Sequence, residues 1–132
     1  MDMQNCKEFR TFEDLDCWKA CRELRQFAAQ ACKRLPVSEQ HRLKDQILRA
    51  ARSITANIAE GYGRFHFQEN IQFCRQARGS AYELLDHFIT VNDEDLFLDD
   101  FIIDCRSRIE KAVILLNGYI RYLQTQKQCE HS

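Results

Sequence analysis

The chain has 132 residues, of which 45% are hydrophobic and 30% are charged, and its formal net charge is −1 at pH 7. This composition is typical of one globular domain and excludes a disordered chain, which would have fewer apolar residues and a larger net charge. A β-rich fold needs turn residues between its many short strands, and one Pro and four Gly are too few to supply them, so an all-α fold is predicted. We expect a single domain over residues 1–132, with an ordered core at about 11–126 and frayed termini.

The amino terminus and the cysteines predict the compartment. The first residues are polar and contain no apolar signal segment, and the aliphatic run Ala112–Leu116 is far shorter than the roughly 20 residues that span a bilayer. Seven cysteines, an odd number, are scattered along the chain. We therefore expect a cytoplasmic protein without a membrane partner, whose thiols are reduced and partly packed as small apolar side chains.

The charge is distributed unevenly along the chain. Residues 1–36 have a net charge of +1, residues 37–80 of +3 and residues 81–132 of −5. This pattern excludes a nucleic-acid binder that is basic over its whole surface. It permits a basic face formed by the middle of the chain.

The first helix is predicted to begin near Thr11, which forms a capping-box-like start with Asp14. Pro36 ends it. Its apolar stripe, at spacings of three or four, comprises Leu15, Trp18, Cys21, Leu24, Ala28, Ala31 and Leu35.

Ser38 is predicted to cap the second helix, and Gly61 and Gly63 are expected to supply the positive φ that often ends a helix. The stripe of this helix fits a period of 3.6 residues and comprises Leu43, Ile47, Ala50, Ala51, Ile54 and Ile58.

The third helix is predicted over about 68–91, and the acidic segment 92–95 follows it. The fourth has a heptad seam of Ile102, Cys105, Ile109, Ala112, Leu116, Tyr119 and Leu123. Gly118 within it is expected to mark the close approach of a neighbour, because Gly in a helix costs about 1 kcal/mol relative to Ala. Short connections between long helices predict an antiparallel up-down-up-down four-helix bundle.

Helices two and three also carry polar stripes beside their apolar ones. The members of these stripes are Gln46, Arg49, Ser53, Asn57 and Glu60 on helix two, and Gln76, Ser80, Glu83 and His87 on helix three. A hairpin that turns near residue 64 would place Arg49 level with Ser80 or Glu83, and Ser53 level with Gln76. One interpretation is a structural polar seam that fixes the register of the two helices.

The other interpretation is a phosphate-binding surface around the hairpin turn. Its candidate nucleic-acid-binding residues are Arg49, Arg52, Arg64, Arg75 and Arg78.

Several motifs resemble a known family. These are Phe12-Glu13-Asp14-Leu15, the signature from Gln46 to Arg64 with its Asn57-Ile58-Ala59-Glu60-Gly61 block, Gly79-Ser80, and Leu116-Asn117-Gly118-Tyr119-Ile120. Together they cover the chain from about Phe12 to Leu123. The sequence resembles the four-helix-bundle proteins encoded by intervening sequences in bacterial 23S ribosomal RNA genes.

The resemblance implies a fold and an assembly more than an activity. Members look like up-down bundles that associate into rings, commonly pentamers. They are related in fold to the accessory variability determinant proteins of diversity-generating retroelements, which act with a reverse transcriptase and its template RNA. This chain departs from those relatives in its lower pI of about 6.4 and in Cys17, where an aliphatic residue is common.

No catalytic or metal-binding constellation is recognised in the sequence. A di-iron site needs Glu-x-x-His pairs, which are absent, and Cys17-x-x-x-Cys21 lacks a second ligand pair. We therefore expect no cofactor, no metal and no enzyme activity. An unrecognised enzyme would require a pocket lined by Arg49, Asn57 and Glu83.

Two functions remain. The first is a homo-oligomeric scaffold that binds RNA or another nucleic acid through the basic face, as an accessory to a reverse transcriptase. The alternative is a structural or protein-interaction ring without nucleic acid. In that case aromatic residues near the helix ends are expected to anchor the subunit contacts. These residues are Phe9, Tyr62, Phe65, Phe67 and Phe101.

Overall fold

The computed structural model describes residues 11–131, and all regular elements in this range are helical. Short 3-10 turns at Phe12–Asp14 and Val37–Glu39 precede the first and second α-helices. The four α-helices are α1 (Asp16–Cys32), α2 (Leu43–Gly63), α3 (Phe67–Asp93) and α4 (Phe101–His131). The predicted all-α class with four helices is confirmed. Phe9 lies outside the described residues.

The start of α1 differs from the prediction. The hydroxyl of Thr11 accepts a hydrogen bond from the backbone N–H of Glu13 at 3.0 Å and donates one to the Glu13 carboxylate at 2.7 Å. Thr11 therefore caps the 3-10 turn and is paired with Glu13 instead of Asp14. An extended residue, Leu15, separates this turn from α1.

The prediction that Ser38 caps α2 is wrong. Ser38 lies inside the 3-10 turn Val37–Glu39, and α2 begins only at Leu43. The side chain of Gln40 donates hydrogen bonds to the carbonyl oxygens of Leu35 and Cys32, at 2.6 and 3.4 Å. These bonds hold the connection against the end of α1, so the chain turns before the second helix can start.

The glycines at the end of α2 also differ from the prediction. Gly61 and Gly63 are both helical, and no glycine among residues 11–131 has a positive φ. The left-handed residue of the α2–α3 connection is Phe65, with a φ of 55°. Gly61 is needed for another reason: a Cβ atom there would lie 2.8 Å from Oδ1 of Asn70 and 2.9 Å from Cβ of Phe73. It marks a close approach of α2 to α3.

The stripes predicted from periodicity form most of the core. All six stripe residues of α2 are buried, and in α1 only Leu15 and Trp18 at its start are half-buried. The largest fully buried side chains are Phe88, Leu24, Ile47, Ile54 and Ile58. Within residues 11–131, no helix combines the length and the apolar character needed to cross a membrane.

An aromatic cluster closes the core where the α1–α2 and α3–α4 connections meet. Phe101 packs edge-on against Phe88 and Phe97 and is stacked on Phe27, with ring centroids 4.8–5.5 Å apart. Arg34 lies 4.1 Å above the ring of Phe97 and pairs with Asp99 at 2.9 Å. Phe101 is thus a core residue, and its expected role as an exposed subunit anchor is wrong.

The carboxyl-terminal helix is longer than expected. It continues to His131, five residues beyond the end of the ordered core that the sequence predicts. Gly118 in this helix has no neighbouring helix near it, because the nearest atom to a Cβ there would be in Arg121, at 3.8 Å. Among residues 11–131, the close approach predicted at Gly118 is absent.

Candidate functional site

The polar residues between α2 and α3 form a short hydrogen-bonded seam. The hydroxyls of Ser53 and Ser80 lie 2.9 Å apart, and the side-chain amide of Asn57 donates to the carbonyl and the hydroxyl of Ser53, at 2.8 and 3.1 Å. All three side chains are half-buried. Because the Ser53–Ser80 hydrogen bond can form in only one alignment of α2 and α3, it stabilises that register of the two helices.

The register of this seam is one helical turn away from the predicted one. Ser53 faces Ser80 instead of Gln76, and the difference of four residues is about one turn. The connection itself lies close to its predicted position. Helix α2 continues through Gly63, the connection falls on residues 64–66, and Phe65 within it is left-handed. Gln46 and Glu83 are exposed and lie at the outer edge of the seam.

The ends of the seam contain polar contacts and one arginine ion pair, within or next to single helices. His87 and Glu83 are 3.3 Å apart along α3. Arg64 pairs with Glu60 at 2.9 Å and lies 3.9 Å from Glu69, and its guanidinium is 5.1 Å from the ring centroid of Phe73. The charge of Arg64 is therefore largely balanced by two carboxylates.

The structure spreads the five candidate arginines over different faces. Arg78 donates to the side-chain oxygen of Asn117 on α4 at 2.7 Å, so it belongs to the α3–α4 interface. Arg52 lies on the side of α2 that faces α1, within electrostatic range of the Cys32 thiol. Arg49 and Arg75 are exposed, each on the outer side of its own helix. Only Arg64 lies at the hairpin turn itself.

A large groove opens beside the hairpin turn, between the start of α1 and the second half of α4. Its volume is about 960 Å³. Five Phe and Tyr rings line it together with aliphatic side chains, and Asp14, Asp16, His66 and Arg121 also border it. The aromatic and exposed aliphatic lining residues are Tyr62, Phe65, Phe67, Tyr119, Tyr122 and Ile114. The exposed fractions of Phe65, Ile114 and Tyr122 are 87%, 60% and 56%, so the rim of the groove is also apolar.

One polar cluster lies in the wall of the groove. The side-chain amide of Asn70 donates to the hydroxyl of Tyr119 at 3.1 Å, and its oxygen accepts a weak hydrogen bond from the thiol of Cys74 at 3.5 Å. Burial raises the pKa of Tyr119 to about 12, although the hydrogen bond from Asn70 opposes this rise. Asn70 is 8% exposed, so this network holds α3 and α4 together at the base of the groove.

Sequence reasoning missed part of this groove. Tyr62, Phe65 and Phe67 are among the predicted subunit anchors, but Ile114 and Tyr122 are not. The missed signal is the presence of two large apolar residues of α4, Ile114 and Tyr122, outside the heptad seam.

The thiols are placed as the apolar interpretation predicts. Cys17, Cys21, Cys32, Cys74 and Cys105 are buried, and burial raises the pKa of each of them. Thiols of this kind are poor nucleophiles. Among the described residues, no group of three or more His, Cys, Asp or Glu side chains is placed to hold a metal ion.

The decisive comparison is with protein families. The family model for the 23S rRNA-intervening sequence protein matches residues 13–118, which is most of the chain. The chain belongs to this family. No curated protein sequence matches it.

The match to the 23S rRNA-intervening sequence protein family contains the whole polar seam and most of the groove. It begins within the 3-10 turn before α1 and ends at Gly118 in α4. Tyr119 and Tyr122 of the groove follow the matched range. The family resemblance predicted from the motifs is thereby confirmed at the level of the family.

Proposed function

We propose that this chain is a non-enzymatic scaffold, an antiparallel up-down-up-down four-helix bundle that assembles into a homo-oligomeric ring. Contacts between consecutive helices support the antiparallel order. Gly61 near the end of α2 approaches Asn70 near the start of α3, whereas Ser53 in the middle of α2 meets Ser80 further along α3.

The apolar groove is the observation that carries the assembly. Phe65, Ile114 and Tyr122 are large apolar side chains that are more than half exposed on the same groove. Contiguous apolar surface of this kind typically marks a protein–protein contact, and aromatic residues dominate the binding energy of such contacts. A second copy of the chain is the proposed occupant, and the family resemblance implies a ring of five.

Light scattering at micromolar concentration tests this assembly. The double substitution Phe65→Ser and Tyr122→Ser is expected to reduce the mass to that of a monomer, while circular dichroism stays unchanged because both side chains are exposed. The matched control is Leu98→Ser, at a residue that is 93% exposed in the α3–α4 connection. A monomeric wild type would contradict the proposed ring.

Nucleic-acid binding is the second candidate function. Residues 16–66 contain ten basic and five acidic residues, whereas residues 67–131 contain seven basic and eleven acidic ones, so the α1–α2 half is positive and the α3–α4 half negative. A positive half attracts phosphates although the net charge is near zero. Resemblance to retroelement accessory proteins extends this candidate to a role beside a reverse transcriptase.

Filter binding of structured RNA over a salt series tests the second candidate. Binding to phosphates weakens as salt rises, because bound counterions are released. Absence of binding by the wild type at low salt would exclude this candidate and leave the structural ring.

A further inference from the structure

We propose that the outer surface along α1 and α2 binds the phosphate backbone of a single-stranded nucleic acid, and that Trp18 stacks on a base at one end of it. We call this surface the basic strip. Its five cationic residues are Arg22, Arg25, Lys33, Lys44 and Arg52. The inference rests on the second candidate function, nucleic-acid binding, and assigns a site to it.

The α1 side of the basic strip follows from helical spacing. Trp18, Arg22, Arg25 and Lys33 are separated by four, three and eight residues, so they share one face of α1. The guanidinium of Arg25 donates to the hydroxyl of Thr55 on α2 at 2.8 Å, which shows that this face is turned towards α2.

The α2 side of the basic strip is fixed by contacts with the end of α1. Lys44 and Arg52 are eight residues apart and therefore lie on the same side of α2. Burial raises the pKa of Cys32 to about 11, and the charges of Lys44 and Arg52 oppose that rise, so both cations lie near this α1 residue. The carbonyl of Lys44 also accepts a long contact from the Cys32 thiol at 4.0 Å.

The cations of the basic strip are available for an external anion. Among residues 11–131, the ion pairs involve none of the five. Arg22, Lys33 and Arg52 are exposed. The acidic residues next to them in sequence are Glu23, which is turned about 100° away from Arg22 on α1, and Asp45, which is turned about 100° away from Lys44 on α2. The surface predicted around the hairpin turn differs from the basic strip in this respect, because its Arg64 is paired with two carboxylates.

Trp18 favours a single strand over a duplex or an acidic protein surface. Its ring is half-buried at the start of the basic strip, where the guanidinium of Arg22 lies 5.7 Å from the ring centroid. Proteins that bind single strands combine a cationic groove with aromatic rings on which bases stack. A duplex offers no unpaired base for such stacking, and an acidic peptide offers none either.

The experiment measures binding of oligouridylate by fluorescence, because Trp18 is the only tryptophan of the chain. We expect quenching of Trp18 and a salt-dependent affinity. The slope of log K against log[salt] is negative, and each lost contact to a single strand reduces its magnitude by about 0.7. The variant Arg22→Gln/Lys33→Gln/Arg52→Gln should therefore reduce the magnitude of the slope by about 2.

The matched control removes the same charge elsewhere, in Arg49→Gln/Arg64→Gln/Arg75→Gln, and should leave the slope nearly unchanged. Equal losses in the two variants would overturn the basic strip but keep nucleic-acid binding. No binding by the wild type would remove the candidate function itself.

Inorganic polyphosphate should bind without quenching Trp18, and duplex RNA should bind more weakly than oligouridylate. If the strip variant changes only the oligomeric mass, the strip is a protein contact and the inference is wrong.

Discussion

Gly61 of α2 lies so close to Asn70 of α3 that a Cβ atom on Gly61 would come within 2.8 Å of the Asn70 side-chain oxygen. The same atom would lie 2.9 Å from Cβ of Phe73, which is attached directly to the backbone of α3 and cannot rotate away. The α2–α3 contact next to the connection therefore depends on the missing side chain.

Gly61→Ala is expected to destabilise the fold. Overpacking typically costs about 1–3 kcal/mol, which exceeds the gain of about 1 kcal/mol from the better helix propensity of Ala. Urea unfolding measures the difference. The matched control is Gly79→Ala in α3, where a Cβ meets nothing within 4 Å, and it should stabilise the fold by about 1 kcal/mol. An equal gain in both variants would show that the helices separate without cost.

Ser53→Ala is expected to cost about 1 kcal/mol, because it leaves the half-buried hydroxyl of Ser80 without its partner. Ser80→Ala should cost less, because the Ser53 hydroxyl keeps the hydrogen bond from Asn57. The double variant should cost less than the two single variants together, since no unpaired hydroxyl remains. Urea unfolding of the four proteins gives the coupling free energy, and Ser107→Ala at an exposed site of α4 is the control. Strict additivity would show that the two hydroxyls do not interact.

The sequence was sufficient to predict the helices and the core, for a physical reason. The stripe residues of α2, from Leu43 to Ile58, are all buried because a period of 3.6 residues directly reports which face avoids water. Ends of helices were predicted less well. Ser38 has the right chemistry for a cap, yet hydrogen bonds from Gln40 to the end of α1 override it.

The candidate site could be predicted only in part, because it depends on register and on relations between helices. A polar seam was visible in the spacing of Ser53, Asn57 and Ser80, but the partner of Ser53 lies one turn further along α3 than the predicted Gln76. The Arg residues are close in sequence, yet Arg78 turns to α4 and Arg52 to α1. The sequence around an arginine does not indicate which neighbouring helix its side chain will contact.

Stability is expected to fall at alkaline pH. Burial raises the pKa of Cys21 and of Cys74 from 9.0 to about 12 each. Because the folded state prefers the neutral thiols, their contribution is fully present below about pH 9 and is lost as the pH rises towards 12. Urea midpoints measured across this range should therefore decrease.

Cys74→Ala should make this decrease shallower, because it removes one of the two buried thiols. A urea midpoint that stays constant through this pH range would show that the thiols ionise freely in the folded protein.

Phe65→Gly is expected to stabilise the single chain while weakening the assembly. A left-handed conformation costs an L-residue about 1–2 kcal/mol, and Phe65 has a φ of 55°. Its side chain is 87% exposed, so little burial is lost when it is removed. Urea unfolding at dilute concentration should show a gain of about 1 kcal/mol, whereas light scattering at higher concentration should show a lower mass.

Asp95→Gly separates backbone strain from assembly. Asp95 has nearly the same φ, 54°, and is exposed in the α3–α4 connection, away from the groove. The substitution should give a smaller gain in stability, because Asp tolerates this conformation better than Phe, and no change in mass. A loss of mass in Asp95→Gly as large as in Phe65→Gly would mean that backbone rigidity controls assembly. If only Phe65→Gly loses mass, the aromatic ring at the groove joins the subunits, and the strain at Phe65 is the cost of presenting that ring.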